Sequence, residues 1–233
     1  MHQDRGNILF LILLAIILFV ALSYAVMGSI NGGGSKKGQE TFGATFATMR
    51  NTSSQIIQGI NRLKLMKDCT DTKLSFEHPS FLVSTNPYNL TLSIPANSDY
   101  SNANAPVTKE CHLFDPAGAG LSPPTNISAG QGGVSSLGAV YQIRTGNAFK
   151  NVGTTATDIF MMVGPLNDDF CDYINNLAGI SSISSITNLG NSVPAKGDLT
   201  LVSNVNNYPG KEFFCYNNYS PTQNFYVEVV LPR

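Results

Sequence analysis

The sequence predicts an α+β protein, with an N-terminal hydrophobic helix that continues through a Gly-rich break into an amphipathic helix packed on an antiparallel sheet. Three observations carry this. Residues 7–27, NILFLILLAIILFVALSYAVM, are interrupted from Ile8 onward only by Ser23 and Tyr24. Phe42, Phe46, Met49, Ser53, Ile56, Ile60 and Leu63 step by four and three, which places them on one stripe of a helix. After Cys69 the chain changes to short β-rich runs separated by Pro, Gly and Asn, the punctuation of strands and turns.

These patterns divide the 233 residues into a leader at 1–6, a hydrophobic transmembrane or assembly helix at 7–31, a Gly-rich hinge at 32–38 and an extracytoplasmic domain at 39–233. The last segment is long enough for one domain with its own core. Charged residues make up 12% of the chain and the formal net charge is -1, so the electrostatic footprint of a nucleic-acid-binding protein is missing. Asn, Ser, Thr and Gly supply the polarity instead, a composition that favours turns and strands.

The apolar run is long enough for a bilayer, since about 20 residues at 1.5 Å rise span a hydrocarbon core of about 30 Å. Three fates fit it. Ser23 and Ala25 are small residues spaced for signal-peptide cleavage after Ala25. An uncleaved anchor is the second. Cleavage on the other side of the run, directly after Gly6, is the third. Arg5 is offset by Asp4, and Lys36 and Lys37 lie beyond the run, so charge alone does not orient it.

Four cysteines, Cys69, Cys111, Cys171 and Cys215, follow the run, with no close metal-ligand spacing. An even count behind an export signal favours two disulfides. Of three possible pairings, Cys69–Cys111 and Cys171–Cys215 each close a loop of about 40 residues within one half of the domain, and each stabilises by roughly 2–4 kcal/mol.

In chain order, a helix is expected over 39–67, with Ile57 and Met66 widening its stripe and Thr48, Gln55, Asn61 and Arg62 lying elsewhere. Strands are expected at 73–76, 81–84, 88–94, 109–115, 139–144, 158–163, 199–202, 212–216 and 225–231, the last two as a hairpin. The run DIFMMV at 158–163 reads as the central strand, ended by Gly164-Pro165, and a turn is expected at Gly146-Asn147. Asn167 is placed to cap a helix with Asp168 and Asp169 in its first turn, Phe170, Ile174 and Leu177 on its apolar face, and Gly179 as its stop. Loops at 96–106 and 121–133 are expected on the surface.

Chemistry finds little support. The histidines are His2, His78 and His112. Cys111 and His112 are neighbours, but adjacent side chains on a strand point to opposite faces. Asp168, Asp169 and Asp172 lack the spacing of a calcium loop and suit a helix start better. No phosphate-binding, dinucleotide, serine-hydrolase or zinc-protease motif is present, so no catalytic residue, metal ligand or cofactor is assigned and a non-enzymatic role is expected.

Arg5-Gly6, followed by an unbroken hydrophobic helix that runs into an amphipathic one, resembles the N-terminus of a type IV prepilin or pseudopilin. The resemblance covers the first 65 residues or so. It implies a pilin-like fold and cleavage between Gly6 and Asn7 by a prepilin-type peptidase that methylates Asn7. It further implies a helix held in the bacterial inner membrane before assembly and packed against other pilin-like subunits in a filament afterwards. Members of the family usually carry glutamate at the fifth mature position, where this chain has Leu11. That substitution resembles minor, tip-located subunits. The resemblance thus implies a structural subunit, minor in its filament, with the C-terminal domain outside the cytoplasm. A single-pass anchored or secreted extracytoplasmic binding protein is the alternative reading.

Overall fold

The stripe from Phe42 to Leu63 folds as part of helix α1 (Gly34–Met66), 33 residues long. The computed structural model describes residues 34–77, 100–136, 138–185, 193–195, 203–217 and 223–233. The hydrophobic run at 7–27 and the expected strands at 81–84, 88–94 and 199–202 lie outside these residues. The chain divides into two units, Met1–Glu40 and Thr41–Arg233. Of the first, residues 34–40 are described and all are helical, so residues 34–38 of the expected hinge belong to α1. A single interior glycine such as Gly38 costs a helix only about 1 kcal/mol, too little to break one this long.

In the second unit Met49, Ser53, Ile56, Ile60 and Leu63 are fully buried, and Phe42, Phe46 and Ile57 pack against the same core. Met66 is 71% exposed and lies off the stripe. The helix ends where Asp68 enters the left-handed region at φ 53, and the Cys69 N–H returns to the Leu63 carbonyl at 3.2 Å.

The sheet beneath α1 has seven strands: β1 (Val140–Phe149), β2 (Asp158–Leu166), β3 (Ser184–Ser185), β4 (Val193–Pro194), β5 (Ser203–Val205), β6 (Phe213–Asn217) and β7 (Asn224–Leu231). Their order is β3-β6-β7-β2-β1-β4, with β5 also on β1. The inner four strands are antiparallel, and β6 and β7 meet across Asn217 and Asn224. The sheet departs from pure antiparallel pairing at β3–β6 and β1–β5, which are parallel.

Alternation along the strands sorts side chains to two faces. Tyr141, Ile143, Met161, Val163, Cys215 and Tyr226 face the core beneath α1. Phe160, Met162, Phe214, Tyr216, Phe225 and Val227 face a second core with Val152, Val205 and Tyr208. Every residue of β1, β2 and β7 is buried. A strand covered on both faces reads as an unbroken apolar run, which is why DIFMMV marks the centre.

Helix α2 (Asp168–Leu177) follows β2. Asn167 occupies its N-cap position without a side-chain cap bond; Asp168 instead accepts from Asn224 Nδ2 at 2.5 Å. Phe170 and Ile174 are buried, while Leu177 is 53% exposed and leaves the apolar face. Gly179, at φ 68, closes the helix: its N–H reaches the Asn176 carbonyl and that of Ile180 reaches Asn175, a Schellman ending.

Four expectations are corrected. Gly146-Asn147 is no turn, because β1 continues to Phe149 through a bulge between Arg144 and Asn147, where Gly146 has φ 103. Gly164-Pro165 does not end β2. Pro165 lies beyond the last β1 rung and within an irregularity of the β7 ladder, so its missing N–H breaks no pairing. Residues 73–76 and 109–115 are not strands. Asp71–Lys73 is a 3-10 turn, successive turns bring Lys109 to φ 60, and a lone bridge joins Ser75 to His112.

Two disulfides secure the edges. Cys69–Cys111 ties the end of α1 to the 100–121 segment, and Cys171–Cys215 ties α2 to β6. Beside the second bridge Asn175, 1% exposed, donates to the Cys215 carbonyl at 2.9 Å and accepts its N–H at 2.8 Å. One side-chain amide thus serves as a strand partner. Asn175→Ala removes both bonds and strands two buried backbone groups, so a loss of roughly 2–4 kcal/mol is expected in urea denaturation; a change within experimental error would show that the bridge and the β7 ladder hold β6 without the amide.

Candidate functional site: the flanks of the first helix

With its apolar stripe turned to the sheet, α1 offers its two flanks for contact. One flank carries a charged clamp. Arg50, whose side chain is 41% exposed, ion-pairs with Glu228 of β7, whose side chain is 5% exposed. The Tyr226 hydroxyl donates to Glu228 Oε2 at 2.5 Å, and the Arg50 guanidinium lies 4.8 Å over the Phe213 ring. Burial pushes the Glu228 carboxyl above its ordinary range, and the Tyr226 hydrogen bond and the Arg50 charge offset part of that. The clamp ties α1 to β7.

The other flank carries a groove of about 550 Å³, walled by α1 on one side and by residues 121–132 on the other. Two close approaches set its ends. At one end a Cβ on Gly132 would lie 2.5 Å from the Thr41 carbonyl oxygen and 2.6 Å from Thr45 Oγ1. At the other, a Cβ on Gly59 would lie 2.6 Å from Leu121 Cδ1. At Gly132 the neighbour is helix backbone, so only glycine permits the approach there; at Gly59 the neighbour is the tip of the Leu121 side chain. Between them Ile127, buried in the core, holds the loop through backbone bonds of 2.9 and 3.0 Å to Ala139.

The helix wall is a row of threonines. Thr45, Thr48 and Thr52 donate their hydroxyl hydrogens to the carbonyls of Thr41, Ala44 and Thr48 at 3.1, 3.0 and 3.0 Å. Tyr141, 6% exposed, lines the groove beside Thr52. Burial holds the Tyr141 hydroxyl above its ordinary range, and it is a neutral donor. The lining contains no charged residue.

The expected processing residues Gly6 and Asn7, together with Leu11, His2 and His78, lie outside the described residues. His112 is 8% exposed, and burial lowers its pKa. Its neighbour Cys111 is in a disulfide, and Asp115 is held by the Ala117 N–H at 2.9 Å and by Lys109 at 3.4 Å. The pair therefore offers no free thiol beside the imidazole. Among the described residues no group of His, Cys, Asp and Glu is placed to hold a metal ion, and no helix is long and apolar enough to cross a membrane. The loop at 121–133 is only partly surface, since Ile127 is buried.

The threonine row was visible in the sequence as Thr41, Thr45, Thr48 and Thr52 at helical spacing, but its meaning depends on the loop that faces it. The Arg50–Glu228 clamp joins residues too far apart for any local pattern to pair. No family model matches the chain, and no curated protein or solved structure does. Function is therefore argued from the chain's own residues.

The clamp makes a pH-dependent expectation. The folded protein holds the Glu228 proton more tightly than an unfolded carboxyl titrating near 4.5. The stability this group supplies is full below that value and is lost as pH rises through the raised folded value. Arg50→Ala leaves the buried carboxylate unpaired, so it is expected to cost roughly 1–3 kcal/mol near neutrality and much less at about pH 4, where the carboxyl is protonated. Denaturant melts at the two pH values check this, and an equal loss at both would assign the effect to the Phe213 contact.

Proposed function

We propose that the chain is a pilin-like or pseudopilin-like structural subunit, minor in its filament, of a type IV pilus or a secretion-type filament. The observation that carries this reading is α1, a helix of 33 residues that follows the apolar run at 7–27 in the sequence and lays a single stripe on a largely antiparallel sheet. The Cys171–Cys215 bridge, which straps the last hairpin to α2, supports it further. Cleavage between Gly6 and Asn7 leaves the apolar helix on the mature chain. Its side chains then face lipid in the inner membrane and neighbouring helices in the filament. One surface suits both surroundings because lipid tails and packed helices are equally apolar.

Leu11 bears on the place in the filament. Without a carboxylate there, this subunit offers no acidic partner to a neighbour's N-terminal amine. Such a subunit fits where that pairing is not required, at a tip or in a short initiating complex. The C-terminal domain lies outside the cytoplasm, where both disulfides persist. Its partners are other pilin-like subunits and the prepilin-type peptidase.

Mass spectrometry of the N-terminal peptide from cells containing a prepilin-type peptidase tests the reading. The expected first residue is a methylated Asn7, and Gly6→Leu is expected to leave residues 1–6 attached. A mature chain starting at Val26, or one retaining residues 1–6 without substitution, would contradict it.

A further inference from the structure

We propose that the groove between α1 and residues 121–132 is a binding site for a neutral oligosaccharide. The proposal goes beyond the structural role and does not depend on it.

The groove is built rather than left over from loose packing. The loop runs back along α1, touching it through Leu121 at Gly59 and through Gly132 at Thr41 and Thr45. From Thr45 to Gly59 the helix rises about 21 Å, whereas the eleven steps from Leu121 to Gly132 can reach about 36 Å when extended. The loop thus has more chain than the distance requires, and residues 121–127, 131 and 132 line the opening. Pro123 and Pro124 line it and restrict their own backbone, and the Ile127–Ala139 bridge anchors the loop to the chain entering β1. An opening held this way is present before any ligand arrives, which lowers the ordering cost of binding. Its volume of about 550 Å³ is in the range of small-ligand sites.

The wall chemistry selects the ligand. Thr45, Thr48 and Thr52 have each given their hydrogen to a helix carbonyl, so towards the groove their hydroxyl oxygens act as acceptors. Ile56, Phe114, Leu121, Pro123 and Pro124 add apolar surface to the same lining. Gln55 on the helix, with Asn126 and Gln131 on the loop, adds amide groups that both donate and accept. The matching ligand carries many hydroxyl groups over an apolar ring skeleton. An anionic ligand would find no cation in the lining, and a cationic one no carboxylate.

The test uses the full-length chain in micelles of a detergent without sugar, such as lauryldimethylamine oxide. Maltotetraose, cellotetraose, mannotetraose and tetra-N-acetylchitotetraose are titrated calorimetrically, with amide chemical shifts recorded in parallel. At least one of the four is expected to bind and to shift the amides of Thr45, Thr48, Asn126 and Gln131. Thr48→Val keeps the shape of the side chain and removes its acceptor, and is expected to weaken binding about fivefold, the effect of one lost hydrogen bond. Ala44→Leu fills the groove from an exposed helix position without altering a hydroxyl, and is expected to abolish binding while the thermal midpoint stays unchanged. Binding of none of the four, binding that both variants leave intact, or binding of a neutral Gly/Ser/Thr peptide in place of every saccharide would overturn the proposal.

Discussion

Everything described in this protein depends on the burial of one helical stripe against one face of the sheet. Met49, Ile56, Ile60 and Leu63 are each at most 2% exposed, and each contributes roughly 2 kcal/mol by leaving water. That packing brings Arg50 to Glu228 and places Gly59 and Gly132 where helix and loop can touch. It also sets Cys69 at bonding distance from Cys111, with Cα atoms 5.7 Å apart. Each of these is a polar or covalent contact whose geometry the apolar contact decides. The charged clamp is the clearest case. Taking the Glu228 carboxylate out of water is costly, and Arg50 and Tyr226 compensate only because the stripe holds α1 at one rotation.

The division of labour around α1 links the fold to the proposed roles. The stripe is spent inside the domain, so the apolar side chains of α1 do not supply an assembly surface, apart from Leu65, which is 86% exposed, and Met66. In the pilin-like reading, subunit packing therefore belongs to the apolar run at 7–27, and the flank of α1 that carries Thr45, Thr48 and Thr52 is polar. The groove lies on that polar surface. Its threonines would be a poor choice for filling a core and a mediocre one for a helix interior, because Thr loses side-chain freedom against the preceding turn. Recognition of a hydroxylated ligand gives them a use.

Much of the architecture was legible in the residues, for physical reasons that can be named. The stripe on α1 has the helical period and consists of large apolar groups. Strand β2 carries the unbroken apolar run 159–163, and β7 is apolar over 225–231 except at Glu228, because both faces of the sheet are covered. The Cys69–Cys111 and Cys171–Cys215 pairing followed from loop length, and both bridges are present. The errors lie where a local signal had two physical meanings. Gly146 marked a bulge rather than a turn, and Pro165 fell where the ladders left its nitrogen unneeded. Met66 and Leu177 are apolar but exposed, since a helix face is set by rotation and not by residue type alone. The role of Asn175 was invisible, because a side chain that substitutes for a strand has no sequence period. The groove was legible only by half: its threonines are spaced on the helix, but the facing wall is a loop that tertiary contacts alone bring there.

Native-state hydrogen exchange tests the claim that the α1 stripe is the constraint on which the fold rests. The account predicts that amides from Met49 to Leu63 exchange as slowly as those of β2, through one global opening. Exchange of that stretch several powers of ten faster than β2, with the sheet still protected, would show that the sheet stands without the helix and would contradict it.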